Sequence, residues 1–191
     1  MTGRRCSIGC LVLTILLAIT CGPAGAQQSA KYGGTLVFSN ANHYPVTDPH
    51  KYRGSAGREL LAPIYSTLYQ YTPDGKITED LAVSLDVVSP SVFRVGIRKD
   101  VLFHDGTPLR ASDVVYSFNR ILDQATGAQL YPQFRTLESV KAQDDFTLVF
   151  TFKAPVLVDW FKEMAAQVEA PILSEKWMKA KTRDFTEHMG S

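Results

Sequence analysis

Few residues of this chain could do chemistry, and their spacing sends most of them to structure. His104 and Asp105 stand side by side, a pairing able to shuttle a proton, but they open the run His104-Asp105-Gly106-Thr107-Pro108. Asp bonds its own backbone, Gly tolerates positive φ and Pro fixes φ, so that run reads as a turn. Asp144-Asp145 lies between two alternating segments and reads as a hairpin turn. Four histidines, His43, His50, His104 and His188, raise metal ligation. Only His43 and His50 share a loop, and their spacing matches none of the standard ligand motifs. There is no G-x-S-x-G elbow, no H-E-x-x-H helix and no phosphate-binding Gly loop. A secreted hydrolase or metal-binding protein built on His43 and His50 is the second reading, not the first.

The elements that must position these residues are clearer. Phe93, Val95 and Ile97 alternate with Arg94, Gly96 and Arg98, the period of a strand with one buried face. Val114, Val115, Phe118, Ile121 and Leu122 then recur at helical spacing behind Ser112, an expected N-cap, and Asp113, favourable at the positive helix end. Segments 137–142 and 146–152 predict a hairpin with Phe146, Leu148, Phe150 and Phe152 on one face. Upstream, Gly33-Gly34 opens a first strand over 35–38, and 39–57 is a long polar loop, the kind that is often functional. Leu60, Leu61, Ile64 and Leu68 fall on one helical face, with Pro63 in its early turns or bending it. A strand over 69–77 leads into the turn Pro73-Asp74-Gly75. After Pro155 the spacing predicts a helix over 156–168 packing Leu157, Trp160, Phe161 and Met164, and a short helix over 174–180.

The first residues read as a targeting segment. Arg4 and Arg5 precede an uncharged apolar run over 8–20, and Ala24-Gly25-Ala26 places small residues where signal peptidase reads. Residues 1–26 are therefore expected to be a cleavable signal peptide, and the run is shorter than the roughly 20 residues a spanning helix needs. Cys6, Cys10 and Cys21 all precede Ala26, so the mature chain would hold no disulfide, thiolate metal site or cysteine nucleophile. The leader takes two of the 20 basic residues and none of the 19 acidic ones, leaving a charge near minus one. That balance gives no global pull towards nucleic acid or anionic lipid.

Several blocks resemble one family in order along the chain. They are Gly33-Gly34-Thr35-Leu36; Thr47-Asp48-Pro49; Ile64-Tyr65-Ser66-Thr67-Leu68; Asp74-Gly75-Lys76-Ile77 with Asp80-Leu81-Ala82; Phe103 to Pro108 with Asp113-Val114-Val115-Tyr116-Ser117-Phe118; Asp145-Phe146-Thr147; and Ala154-Pro155. Together they are similar to the extracytoplasmic solute-binding proteins of ABC importers, peptide/nickel type. Glu79-Asp80 before Leu81, and Leu85 where an aromatic residue is usual, depart from the pattern. Met189-Gly190-Ser191 looks like the start of the family's Gly-Thr/Ser-Gly-Pro motif broken midway. The resemblance therefore implies that residues 27–191 are the amino-terminal part of lobe I, with the second lobe absent. A non-functional remnant is the third reading.

The fold implied is α/β, an incomplete first lobe of a periplasmic-binding-protein type II-like fold with a mixed sheet and flanking helices. The activity implied is capture of peptides or similar small solutes in the periplasm, by hinge closure between two lobes, for ABC permease subunits at the inner membrane. No catalysis, cofactor or nucleic acid enters that reading, and the receptor would be monomeric. By resemblance the solute-facing loops carry Asn42 and His43, then Tyr52, Arg53 and Ser55, then Tyr131 and Gln133. Arg53 suits a carboxylate, which a guanidinium can bind bidentately.

Overall fold

The computed structural model describes residues 33–35, 37, 48–52 and 55–180. The chain divides into a first unit, Met1–Asn40, and a second, Ala41–Ser191. In the first, Gly33, Gly34, Thr35 and Val37 are exposed and lie in no strand. The strand expected over 35–38 is thus not formed at Thr35 or Val37. A strand exists through its ladder, and among the described residues no ladder reaches Val37, which is 87% exposed. The signal-peptide reading of 1–26, and Leu36 and Phe38, lie outside the described residues.

In the second unit, helix α1 spans Ser55–Leu61. The helical face expected through Ile64 and Leu68 stops short: Ala62 and Tyr65 still donate to the carbonyls of Arg58 and Leu61, and then the chain turns away. Pro63 is the cause, because it lacks an amide hydrogen and pushes the residue before it out of the helical region. Strands β1 (Tyr69–Tyr71) and β2 (Ile77–Glu79) form a hairpin across the expected Pro73-Asp74-Gly75 turn, where the Thr72 amide donates to the Lys76 carbonyl at 2.8 Å.

Strands β3 (Ala82–Ser89), β4 (Val92–Ile97), β5 (Leu137–Asp144) and β6 (Thr147–Phe152) form a four-stranded sheet in the order β3-β4-β6-β5. The α/β class is as expected. Every ladder among the described residues is antiparallel, so the parallel pairs that a mixed sheet needs are not among them. The alternation works as read. Phe93, Val95 and Ile97 point into the core, and the register sets Phe93 opposite Phe150 and Val95 opposite Leu148, so both strands turn one apolar face inward.

Helix α2 (Ala111–Leu122) lies on this face with Val114, Phe118 and Ile121 fully buried. Phe118 meets Phe150 edge to face at 5.1 Å and Phe134 at 5.3 Å. Such pairs each add about 0.5–1.5 kcal/mol beyond their burial. Ser112 does not cap this helix. The N-cap is Arg110, in an extended conformation, and Asp113 at the third helical position accepts the Arg110 amide at 2.9 Å. The Ala111 amide donates to the Asp145 carbonyl at 2.8 Å, which starts the helix on the β5–β6 turn one residue before Ser112. A carboxylate reaching back from the third position fills the role a cap hydroxyl would otherwise take.

Helix α3 is the single turn Tyr131–Phe134. Helix α4 covers Val158–Ala165, shorter than the 156–168 expected. Phe161 is fully buried against Tyr69, Phe93, Phe150 and Phe152, with Trp160 and Met164 packed at the edge of the core. Leu157, expected in the packed stripe, is 77% exposed. It sits at the N-cap with extended backbone, one residue before helical geometry would turn its side chain onto the stripe. Helix α5 (Glu175–Ala180) matches the short helix expected there, and Ser174 Oγ accepts the Trp177 amide as a cap. Trp177, Met178 and Leu173 form a second small apolar cluster with Tyr65 and Tyr116 against α2.

Candidate functional site

The segment 48–52 leads towards the solute-facing candidates, and three polar side chains fix it. The Asp48 carboxylate accepts the His50 amide at 3.1 Å through Oδ1, and the Arg120 guanidinium binds both of its oxygens, Nη1 to Oδ1 at 3.0 Å and Nη2 to Oδ2. This is a bidentate ion pair between the segment and α2, and only about a tenth of either side chain is exposed. Arg120 Nη1 also lies 2.8 Å from His50 Nδ1. A guanidinium has no acceptor, so Nδ1 must accept and Nε2 must carry the proton. That Nε2–H donates to the Pro171 carbonyl at 3.0 Å. His50 is completely buried, and its own carbonyl accepts the Gln129 amide at 2.7 Å. Burial first, then the Arg120 cation, lower its pKa from 6.5 to about 4.

The metal reading of His43 and His50 fails on this geometry. Nε2 carries a proton given to the Pro171 carbonyl and the lone pair of Nδ1 accepts from Arg120, so the ring has no lone pair left for an ion. His43 lies outside the described residues, and among those described no group of three His, Cys, Asp or Glu could hold a metal.

Asn42 and Arg53 are also outside the described residues, and Ser55 opens helix α1. Tyr52 is 5% exposed. Tyr131 is half-buried at the start of α3, where its hydroxyl accepts a hydrogen bond from Gln124 Nε2. Gln133 is exposed. The Gln129–His50 bond sets the segment ending at Tyr52 beside the turn that leads into Tyr131, so two of the three candidate groups are neighbours in the chain's packing.

The tempting pair His104-Asp105 is a turn, as read. Asp105 Oδ1 accepts the Thr107 amide at 2.9 Å and its hydroxyl at 2.6 Å, and Gly106 has φ of +80°. These bonds from Thr107 hold the Asp105 carboxyl below its usual range, so at neutral pH it has no proton to give. Asp144 is held low in the same way, chiefly by the Phe146 amide. A pocket of about 70 Å³ lies under the 101–109 turn, lined mainly by Ile64, Tyr65, Leu81, Val101, Leu109 and Ile172. It is less than half the ~150 Å³ that admits benzene, too small for a peptide, and of the candidates with described side chains, Tyr52, Tyr131 and Gln133, none lines it.

Sequence reasoning missed the partnership of Asp48, His50 and Arg120. Asp48-Pro49 was visible as a turn, but nothing local ties it to an arginine 72 positions later.

The described residues thus give an antiparallel sheet backed by α2 and α4, and a polar segment tied to α2 through Arg120. The family model for bacterial extracellular solute-binding proteins, family 5 Middle, matches residues 76–190. The chain belongs to that family. This family 5 member is 32% identical over 151 residues to the periplasmic oligopeptide-binding protein OppA of Escherichia coli K12, covering 70% of the chain and 27% of the relative. It is 25% identical over 142 residues to the glutathione-binding protein GsiB of Pectobacterium atrosepticum, covering 74% and 26%. The solved structure of AgaA from A. tumefaciens R10 in complex with agropinic acid aligns with a TM-score of 0.68 at 27% identity, covering 73% of the chain and 28% of AgaA. These relatives are binding proteins. The chain spans about a quarter of the length of the curated relatives it matches. Among the described residues no helix is long and apolar enough to cross a membrane.

Proposed function

We propose that this chain supplies part of a periplasmic solute receptor that captures peptides or similar small solutes for an ABC permease and carries out no chemistry on them. The reading rests on the family match over residues 76–190. It is supported by relatives named for binding oligopeptides and glutathione and by a likeness to an opine-bound structure. Capture by hinge closure demands a partner for each polar group of the solute, since an unpaired buried group costs about 1–3 kcal/mol. Tyr52, Tyr131 and Gln133, with Asn42, His43, Arg53 and Ser55, are the side chains proposed to supply such partners from this part of the receptor. Export behind a cleaved leader of 26 residues, a monomeric state and the absence of a cofactor belong to the same proposal.

The test grafts residues 48–180 in place of the matching quarter of the E. coli oligopeptide-binding protein and titrates the folded chimera with di- to hexapeptides, glutathione and opines by calorimetry. Saturable binding of one class supports the reading. A folded chimera that takes up none of the three overturns it.

A further inference from the structure

His50 stands where two distant parts of the second unit meet. Its ring joins segment 48–52 to α2 through Arg120, and to the Pro171 crossing between α4 and α5 through a carbonyl 121 residues away. Its backbone carries Gln129. Of these bonds, the one from Arg120 exists only while Nδ1 carries no proton. Nδ1 accepts from a guanidinium, and Nε2 donates to a carbonyl, so a second ring proton would have to sit at Nδ1, facing Arg120 Nη1 at 2.8 Å. No rotation of the ring rescues the charged form, because the opposite nitrogen already donates its proton.

We propose that His50 is an acid-opened clasp: when its ring takes a second proton, segment 48–52 comes away from α2 and from the Pro171 crossing while the four-stranded sheet stays folded. The charges around the ring fit this assignment. Arg120 on α2 repels the imidazolium directly. Asp48 would attract it, but both of its oxygens are already held by Arg120, and Lys51 Nζ lies 3.9 Å from Oδ2. Glu169, two residues before Pro171, turns Oε1 to Arg58 at 3.3 Å, so the nearby carboxylate on that crossing is directed to α1. Burial leaves the charged ring without water, and opening is the route by which it regains it. The lowered pKa of His50 agrees with this geometry.

The clasp positions Tyr52 relative to the Tyr131 turn, since the Gln129–His50 bond is part of it. It is read without solute, so its test does not depend on what the receptor carries. Amide exchange is followed by NMR on the solute-free 191-residue protein from pH 7.5 to 4.5, with each rate divided by its intrinsic value at that pH. Protection at the His50, Lys51 and Gln129 amides is expected to fall by about tenfold or more below pH 6.5. The amides of the β4–β6 ladder around Val95 and Leu148 should keep theirs. In His50→Gln, which cannot titrate, the local protection should no longer change with pH. Unchanged protection at the three amides in the native chain, or loss in step with the sheet, overturns the clasp. The native series decides even if the variant does not fold.

Discussion

Asp113 and Glu175, 62 residues apart in sequence, are joined by one hydrogen bond: Oδ1 of Asp113 accepts the Glu175 amide at 2.9 Å. The other oxygen accepts the Arg110 amide at 2.9 Å. A single carboxylate therefore finishes the amino ends of both α2 and α5. Next to it, Ser117 Oγ accepts the Leu173 amide at 2.9 Å and donates to the Asp113 carbonyl at 2.8 Å, which fixes the chain leading into α5. Helix α5 is only six residues long, too short to persist on propensity, so these contacts and the Trp177 cluster hold it.

Replacing Asp113 by Ala should therefore loosen two helices at once. It leaves two backbone amides without their acceptor, a loss of about 1–3 kcal/mol. Asp113→Asn keeps one acceptor oxygen and should cost less. Urea midpoints of the two variants check the order, and equal stability of Ala and native chains would contradict the shared cap.

The aromatic core predicts a sharp contrast between two residues four apart. Phe161 touches Tyr69, Phe93, Phe150 and Phe152 and is fully buried, so Phe161→Ala should cost about 3–5 kcal/mol. Leu157 is 77% exposed, and Leu157→Ala should stay within about 0.5 kcal/mol of the native chain. Thermal unfolding of both variants measures the difference. A large loss from the Leu157 change would return that side chain to the packed stripe.

Gly96 in β4 faces Ser84 across the β3 ladder, and a methyl group built on it would stand 2.6 Å from Ser84 Oγ. Gly96→Ala should destabilise the sheet until the hydroxyl moves or is removed. Gly96→Ala combined with Ser84→Ala should recover most of the loss, with a coupling of about 0.5–1 kcal/mol in a double-mutant cycle. Strict additivity of the two changes is the result that denies the close approach.

His50 gives stability a pH slope with a definite sign. Unfolded, the ring takes its proton near 6.5; folded, near 4. Between those values the unfolded chain binds the extra proton, so stability rises with pH through that window. The contribution is fully present above pH 6.5 and is lost as pH falls to about 4, with an upper bound on the order of 3 kcal/mol. Melting temperatures from pH 7.5 to 4 should fall through this window in the native chain and fall less in His50→Gln.

Much of this architecture could be read from local pattern. The alternation of Phe93, Val95 and Ile97, the helical repeat of Val114, Phe118 and Ile121, and the Asp144-Asp145 turn each carry their period within a few residues, and each took the form expected. The errors sit where a boundary depends on partners elsewhere. Ser112 looked like a cap, but the β5–β6 turn begins α2 one residue earlier. Leu157 fits the helical period, yet the helix starts after it. The site was less legible still. His50 was weighed as a metal ligand because its neighbours in sequence say nothing of Arg120 or Pro171, and only folding brings those two to its ring.

The bond from His50 to Pro171 also has a consequence in time. At roughly 5–20 residues per second, a ribosome needs on the order of ten seconds to make the chain between them. Until then the imidazole has no carbonyl to hold and stays open to solvent, so the amino-terminal segment cannot lock into place as it is born. The segment and the crossing must wait for one another, and acid undoes a bond that synthesis could permit only late.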